Sequence, residues 1–360
     1  MKKLLYIIYV IIAVTILLEI VLRVYNPFPS GIMGDKIVLR VNTTLQYDND
    51  SIPVLEKNII HTKNSLGFRG PDKPHDWNKY FTIFTIGGST TECTYLSDNK
   101  TWTDKLFVKL RDGNQNLWMN NAGIAGHSTS GHKILFEDYI VKLNPDMILF
   151  LVGCNDINRD DLVEKSVMKD HYGSIAAFFT KNSVLFNVIS NTFFNKRSKS
   201  KNFTDKYIDI SKHQNDTLTF SDAQIKLELD KQRHKYLPGY EERLNFLINS
   251  CIKNNIQPVL ITQPSLFGEG RDPVTGANLE NRRIGLYNYN GKLWWLVLEE
   301  YNNVTRKVAK DHQILLIDLA KKMPRSSLYF YDMVHFTEAG ADTVSQIIYK
   351  ELNNSCVKIY

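Results

Sequence analysis

The 360-residue sequence has only four cysteines, and they are not grouped in a way that would form a metal site or a disulfide framework. No C-x-x-C pair of the kind found in zinc and redox motifs is present. Four cysteines are also too few for disulfide bonds to be the main source of stability in a chain of this size. We therefore expect buried free thiols at Cys93, Cys154, Cys251 and Cys356.

A strong excess of one charge is also missing. The sequence has 44 Lys and Arg residues and 38 Asp and Glu residues, which leaves a net charge of +6. No helix–turn–helix or zinc-finger motif accompanies this mild excess, so we expect no nucleic-acid partner. With 43% apolar residues, the chain can bury a substantial core, and it is neither disordered nor collagen-like.

The first long apolar run lies at the N-terminus. Lys2 and Lys3 precede 19 residues, Leu4 to Leu22, that are interrupted only by Thr15 and Glu19. At about 1.5 Å per residue, such a helix nearly spans a bilayer. The residues that follow lack the small side chains of a signal-peptide cleavage site, which favours an uncleaved single-pass anchor over a cleaved signal. The two lysines before the helix predict that the rest of the chain is extracytoplasmic.

The remainder of the chain alternates between apolar strands and amphipathic helices. Strands are predicted at residues 80–86, 117–120, 146–152, 258–262 and 314–317. Helices are predicted at 130–143, about 240–253, 289–311 and from 337 onward, and Thr101–Asp104 looks like the capping box of a further helix. Continuous apolar strands that alternate with helices are typical of a parallel sheet covered on both faces. The pattern predicts an α/β fold, namely a flavodoxin-like three-layer α/β/α sandwich with about five strands, in addition to the N-terminal transmembrane helix.

These patterns predict three regions. Residues 1–27 form the membrane anchor, residues 28–79 form an extended segment packed on the core, and residues 80–360 form the α/β domain. Within that domain, the strand–helix rhythm breaks at about 160–235. Such a long excursion is typical of an insertion, which either covers a substrate or decorates the surface.

Polar residues follow three of the predicted strands. They are Gly88-Ser89 after the first strand, Gly123 after the second, and Gly153-Cys154-Asn155-Asp156 after the third. In an open parallel sheet, ligands bind beyond the carboxyl ends of the strands. Each pattern alone also fits an ordinary helix cap or turn.

A fourth polar segment, Asp332-Met333-Val334-His335, precedes the last predicted helix. An aspartate three residues before a histidine can hold the imidazole Nδ1–H and leave Nε2 as a base. Together, the four segments place a serine, a glycine, an asparagine and an Asp-x-x-His pair at one edge of the sheet. This combination indicates a serine nucleophile with a histidine base.

The four segments resemble the conserved blocks of the SGNH (GDSL-type) hydrolases in order and approximate spacing, from Ile86 to Gly340. Gly88 stands where the GDSL motif has aspartate, as in GGS variants of bacterial members. The segments Asn64–Gly70 and Phe336–Gly340 also look like those of membrane-anchored bacterial relatives. The resemblance implies the catalytic residues Ser89, Asp332 and His335, and an oxyanion hole formed by the backbone N–H groups of Ser89 and Gly123 and by the amide of Asn155.

The resemblance implies a serine esterase that removes O-acetyl or other short acyl groups from cell-envelope or exported polysaccharide. An acylated small molecule is the other expected substrate, and the membrane is the expected partner of the N-terminal helix. We expect neither a cofactor nor a metal. Two alternatives share this fold: an O-acyltransferase that uses the same triad, and a non-catalytic glycan-binding protein.

Overall fold

The computed structural model describes residues 2–24, 32–33, 36–37, 39–112, 116–159, 183–186, 217–284 and 287–355. The chain divides into two compact units. One comprises Met1–Arg40 and Leu162–Asn202, and the other comprises Val41–Asp161 and Phe203–Tyr360. Most of the insertion predicted at 160–235, and the expected thiol Cys356, lie outside the described residues.

The first unit contains helix α1 (Lys2–Val24) and the short antiparallel strands β1 (Ile32–Met33) and β2 (Lys36–Ile37). Over Lys2–Arg23, α1 is long and apolar enough to cross a membrane, a property that it shares with signal sequences. The Glu19 carboxylate accepts hydrogen bonds from the Ser183 hydroxyl and from the N–H groups of Val184 and Leu185. Glu19 thereby caps the helical turn at 184–186.

The second unit begins with an antiparallel hairpin of β3 (Thr43–Asp48) and β4 (Asn58–Lys63). Residues 28–79 were predicted to be an extended segment with little periodic structure, and within it residues 43–48 and 58–63 are the two extended strands of this hairpin. The inward side chains of β4 alternate with exposed ones, because only one face of the hairpin is covered. After the hairpin, Arg69 pairs its backbone with that of Asn121, which joins this segment to the domain.

The predicted parallel sheet is confirmed. Its strands are β5 (Phe81–Gly87), β6 (Leu117–Asn121), β7 (Met147–Leu151), β8 (Gln257–Ile261) and β11 (Leu316–Ile317). Their spatial order is β6-β5-β7-β8-β11, and every neighbouring pair is parallel. Renumbered along the chain, this is the flavodoxin-like order 2-1-3-4-5, whose direction of winding reverses between β5 and β7.

Helices flank the sheet and begin where the sequence supplies caps. Thr101 and Asp104 form the predicted capping box of α3 (Trp102–Arg111), and Asn290 caps α8 (Gly291–Asp311) by accepting the N–H of Leu293. The predicted helix at 130–143 is continuous but contains a π-helical turn, Phe136–Ile140. Helix α3 packs on α10 (Glu338–Asn354), and α7 (Leu237–Lys253) packs on α8. The helices of this unit and its remaining strands are α2 (Ser89–Glu92), α3 (Trp102–Arg111), α4 (Thr129–Leu135), α5 (Val141–Leu143), α6 (Asp222–Lys231), α7 (Leu237–Lys253), β9 (Arg283–Ile284), β10 (Tyr289–Asn290), α8 (Gly291–Asp311), α9 (Leu319–Lys322) and α10 (Glu338–Asn354).

The core lies between the sheet and these helices. Strand residues such as Ile83, Phe84 and Leu149 are fully buried, as are Trp102 of α3 and Trp294 of α8. Two of the expected buried thiols, Cys93 and Cys251, are buried and free, whereas Cys154 is free but partly exposed. This core holds the carboxyl ends of β5, β6 and β7 in fixed register, and the polar segments begin at those ends.

Candidate active site

The serine predicted as nucleophile stands in a sharp turn between β5 and α2. Gly87 and Gly88 form this turn, and Ser89 is the first residue of α2. A Cβ atom on Gly87 would lie 2.4 Å from the Leu151 carbonyl oxygen of neighbouring strand β7. Only glycine therefore fits this position. The turn leaves Ser89 partly exposed beside the point where the sheet reverses its winding, where α/β folds bind ligands.

A continuous hydrogen-bonded chain links Ser89 to His335 and Asp332. Ser89 Oγ lies 2.6 Å from His335 Nε2, and His335 Nδ1 lies 2.6 Å from Asp332 Oδ2. Because a carboxylate only accepts hydrogen bonds, Nδ1 carries the proton and Nε2 is left to accept the hydroxyl proton of Ser89. The structure thus brings together the three residues that the sequence analysis selected, in the geometry of a nucleophile, a base and a group that orients the base.

Asp332 is held as an anion. Its second oxygen, Oδ1, accepts the backbone N–H groups of Val334 at 2.9 Å and His335 at 2.8 Å. Burial acts to raise the pKa of Asp332, but the imidazole of His335 and these N–H donors outweigh burial, so the pKa lies below its ordinary value. An ionised Asp332 would stabilise the imidazolium that forms when His335 takes up a proton.

Packing keeps the histidine in this orientation. The Tyr331 ring stacks on the His335 ring with a centroid separation of 5.6 Å and an interplanar angle of 10°. The Tyr331 N–H donates to the His335 carbonyl and thereby closes the loop formed by residues 331–335. The Met333 carbonyl of this loop accepts a hydrogen bond from the Ser265 hydroxyl. These contacts limit rotation of the imidazole and thereby fix its distance from Ser89.

Asn155 lies directly beside the nucleophile turn. It belongs to the 3-10 turn Cys154–Asp156 after β7, and its Nδ2 donates to the His127 carbonyl at 3.0 Å. A Cβ atom on Gly88 would lie only 2.2 Å from Asn155 Nδ2. A side chain at position 88 would therefore collide with the Asn155 amide in its present position.

Gly123 is close to the nucleophile turn but differs from expectation in its hydrogen bonding. A Cβ atom on Gly123 would lie 2.3 Å from the Glu92 backbone nitrogen, so the residue packs tightly against α2. Its N–H, expected to serve an oxyanion, donates to the Asn121 side-chain oxygen at 2.9 Å. An asparagine readily accepts a backbone N–H two residues ahead, so the position of Asn121 in the sequence is the signal that could have predicted this local competition.

Two further polar residues at strand ends connect loops of the site. The Asp156 carboxylate accepts both the N–H and the hydroxyl of Thr129 and pairs with Arg243, which ties the third polar segment to the start of α4. Buried Gln263, after β8, accepts the hydroxyl of Thr90, the residue next to Ser89. Both residues support the position of the loops that carry the candidate catalytic residues.

A buried charged cluster lies next to α2 and was not predicted from the sequence; it consists of Lys63, Arg69 and Glu92. Arg69 lies within the segment Asn64–Gly70, whose likeness to anchored relatives was noted without a role. Lys63 and Glu92 have no periodic or motif signal, because their pairing depends on how the hairpin packs. The only sequence signal for the cluster is therefore Arg69 in its segment.

His61 packs against this cluster, and its burial leads us to expect that the free energy of unfolding of the domain depends on pH. Burial, together with the positive charges of Arg69 and Lys63, lowers the pKa of His61 to about 4, although Glu92 acts in the opposite direction. An unfolded histidine has a pKa of about 6.5, so between pH 6.5 and 4 the unfolded chain binds more protons and stability falls on acidification. We expect His61→Gln to reduce the loss of unfolding free energy between pH 7 and 4.5 by about 2–3 kcal/mol.

Urea unfolding of the wild type and of His61→Gln at the two pH values measures this difference. His75→Gln, at an exposed position, is the matched control for the substitution itself. An equal loss of stability in the wild type and in His61→Gln would show that His61 is not buried in its neutral form.

No protein-family model matches the sequence, and no curated protein matches it. Among solved structures, the acetylxylan esterase Axe2 from Geobacillus stearothermophilus is 15% identical, with a TM-score of 0.43 over 78% of this chain and 97% of that one. The acetyl xylan esterase AlAXEase is 18% identical, with a TM-score of 0.42 over 75% and 98% of the two chains. LAE5, an alpha/beta hydrolase from the metagenome of Lake Arreo, Spain, is 13% identical, with a TM-score of 0.42 over 77% and 96%.

Proposed function

We propose that this protein is a serine ester hydrolase with Ser89 as its nucleophile. The observation that carries the proposal is the chain of contacts from Ser89 Oγ through His335 to Asp332, with both links at 2.6 Å. Hydrolysis of an ester by this route needs an activated hydroxyl, a base and a group that orients the base. All three stand at the carboxyl edge of the sheet, where a substrate has access to Ser89.

The reaction proceeds by two acyl transfers. Ser89 Oγ attacks the ester carbonyl while His335 Nε2 takes the hydroxyl proton, and Asp332 stabilises the resulting imidazolium. His335 then gives the proton to the departing alcohol, which leaves an acyl group on Ser89. A water molecule, deprotonated by His335, attacks this acyl-serine. The carboxylic acid departs and the proton returns to Ser89 Oγ.

Three donors are proposed for the oxyanion that forms in each step. The N–H of Ser89 is in the first turn of α2, where helix N–H groups have no partner within the helix. The Asn155 amide has two N–H groups, of which one donates to His127, so the second is assigned to the oxyanion. Gly123 contributes if its N–H is shared between Asn121 and the oxyanion.

The proposed substrates are O-acetyl or other short acyl esters on cell-envelope or exported polysaccharide. This choice rests on the resemblance to SGNH hydrolases and on α1, which as a membrane anchor would hold the enzyme at the surface where such polymers lie. The lysines at the start of α1 favour an extracytoplasmic position for the catalytic domain. An enzyme confined there meets acylated glycans of the envelope rather than cytoplasmic metabolites.

The full-length protein in detergent tests this proposal with aryl esters of acetate, butyrate and octanoate, followed by acetylated polysaccharide. We expect turnover to be fastest with acetate and free acetate to appear from the polymer. Faster turnover of octanoate would contradict the short-acyl assignment. Transfer of the acetyl group to an added glycan, without release of acetate, would instead identify a transferase.

The contact between Gly88 and Asn155 gives a more specific prediction. In Gly88→Ala, the new Cβ atom would displace the Asn155 amide, which can move because it is the end of a flexible side chain. We expect kcat to fall about 10²–10³-fold, as for the loss of one oxyanion donor in Asn155→Ala. The fold should persist in both variants, which circular dichroism would verify.

The double variant distinguishes this mechanism from unrelated damage. If Gly88→Ala acts by moving Asn155, the two substitutions together should lower kcat little more than either alone, since they remove the same donor. Fully multiplicative losses would mean that the two residues act separately.

A further inference from the structure

We propose that Arg69, Glu92 and Lys63 are positioning residues, which hold the nucleophile turn and the Gly123 loop in the arrangement required for catalysis. This inference rests on the proposed function. All three are buried, with exposed fractions of 1%, 9% and 9%, respectively. Buried charges need compensating partners, and the partners of these three define the role of the set.

Arg69 binds the end of the nucleophile helix. Its Nη1 donates to the carbonyls of Glu92 at 2.8 Å and Cys93 at 2.7 Å. Its Nη2 donates to the Leu96 carbonyl at 2.8 Å and to Asp98 at 3.0 Å. The last carbonyls of a helix lack partners within the helix, and a guanidinium satisfies several of them at once. Arg69 therefore fixes where α2 ends.

The backbone of Arg69 is hydrogen-bonded to the end of strand β6. Its N–H donates to the Asn121 carbonyl at 3.0 Å, and the Asn121 N–H donates to the Arg69 carbonyl at 2.9 Å. Asn121 is the last residue of β6 and directly precedes the Gly123 loop. One residue thus connects the end of α2 with the beginning of that loop.

Glu92 makes the second connection between α2 and the loop. As the last residue of α2, it accepts the Ala125 N–H on Oε2 at 2.7 Å, while Gly123 packs against its backbone nitrogen. Ala125 lies two residues after Gly123. The Glu92 carboxylate therefore holds the loop against the turn that carries Ser89.

Lys63 compensates the negative charge of the buried Glu92 carboxylate. Its Nζ lies 2.7 Å from Glu92 Oε1, and it reaches the site from the end of β4. Removing one partner of a buried ion pair leaves the other charge uncompensated, so Glu92 would turn toward water or take up a proton. Either change weakens the hold of Glu92 on the Ala125 N–H.

The position of α2 matters for catalysis because Ser89 begins it. The Cys93 N–H donates to the Ser89 carbonyl at 2.8 Å, so a shift at the end of this single turn moves its first residue as well. A displacement of about 1 Å at a reacting group can lower the rate about 10²-fold. The hairpin segment before the sheet is thereby a functional part of the active site.

The test uses Lys63→Met and Lys63→Arg in the full-length protein with an aryl acetate. We expect Lys63→Met to lower kcat about 10- to 100-fold with little change in KM, because the reacting groups are misplaced while the substrate pocket remains. Lys63→Arg keeps the charge and should recover most of the rate. Lys307→Met removes an exposed ion pair with Glu241 and is the matched control, for which kcat should be unchanged.

Hydrogen–deuterium exchange provides a readout that does not need turnover. In Lys63→Met, peptides that cover 89–97 and 121–128 should exchange faster, whereas those from β8 and α8 should match the wild type. A uniform rise in exchange across the domain, an unchanged kcat, or no recovery in Lys63→Arg would each overturn the proposal. If the wild type itself hydrolyses no ester, the proposed function fails, while local exchange still decides whether Lys63 holds the loop. Glu92→Gln, which retains an acceptor for Ala125 but loses the charge, should fall between the wild type and Lys63→Met in both measurements.

Discussion

Replacement of Ser89 by alanine is expected to abolish ester hydrolysis and to leave the fold intact. Ser89 Oγ is the only atom of the proposed mechanism that becomes covalently bonded to the substrate, and its contact with His335 Nε2 at 2.6 Å is what makes it nucleophilic. Loss of the nucleophile in a serine hydrolase lowers kcat by about 10⁶. Initial rates of acetate release from an aryl acetate measure the loss.

Covalent labelling gives an independent view of the same residue. A fluorophosphonate should add to one serine of the wild type, identified as Ser89 by mass spectrometry of peptides, and should not add to Ser89→Ala. Ser250→Ala, on helix α7, is the control and should behave as the wild type in both assays. Labelling at another serine, or turnover that persists in Ser89→Ala, would remove Ser89 from the mechanism. A folded wild type that binds glycan but is neither labelled nor active would favour a binding protein.

Replacement of Asp332 by asparagine is expected to have the next largest effect, with a fall in kcat of about 10⁴-fold. The carboxylate accepts the Nδ1–H of His335 at 2.6 Å and so keeps Nε2 free as the base. An amide in its place can present N–H toward Nδ1 and favour the opposite tautomer, which leaves Nε2 protonated in the resting enzyme. It also removes the negative charge that stabilises the imidazolium.

The two consequences of Asp332→Asn can be measured together. KM for a short aryl ester should change little, because Asp332 is buried behind His335 and the substrate contacts Ser89. Fluorophosphonate labelling of Ser89 should slow along with turnover, since both reactions require the base. Asp342→Asn, in a salt bridge with Lys109 on α3, controls for the loss of a carboxylate and should retain full activity. Wild-type turnover in Asp332→Asn would show that another group orients His335.

Much of the α/β domain could be predicted from the sequence because its signals are local. Continuous apolar runs such as Met147–Leu151 are buried on both faces, and a run of this kind is recognisable without knowledge of its neighbours. The capping box at Thr101 and Asp104 is likewise complete within four residues. Boundaries differ by a few residues where a cap decides them, as at Asn290, which delays the start of α8 from the predicted Tyr289 to Gly291.

The candidate triad was predictable for a related reason. Parallel strands all end at the same edge of a sheet, so residues that follow different strands converge there even when they are far apart in the chain. Ser89 and Asn155 follow the strands on either side of the reversal point, and Asp332 lies near enough to His335 in sequence to bond its imidazole. The sequence by itself thus determined the fold class and the candidate catalytic residues.

Only the tertiary structure decided how those residues are supported. The space that Gly88 leaves for Asn155 and the pairing of Lys63 with Glu92 both depend on how closely separate elements of the fold approach one another. Hydropathy patterns record which side chains are buried but not which polar groups meet inside. Buried polar groups must find partners, and the packing of the hairpin and loops around α2 selects those partners.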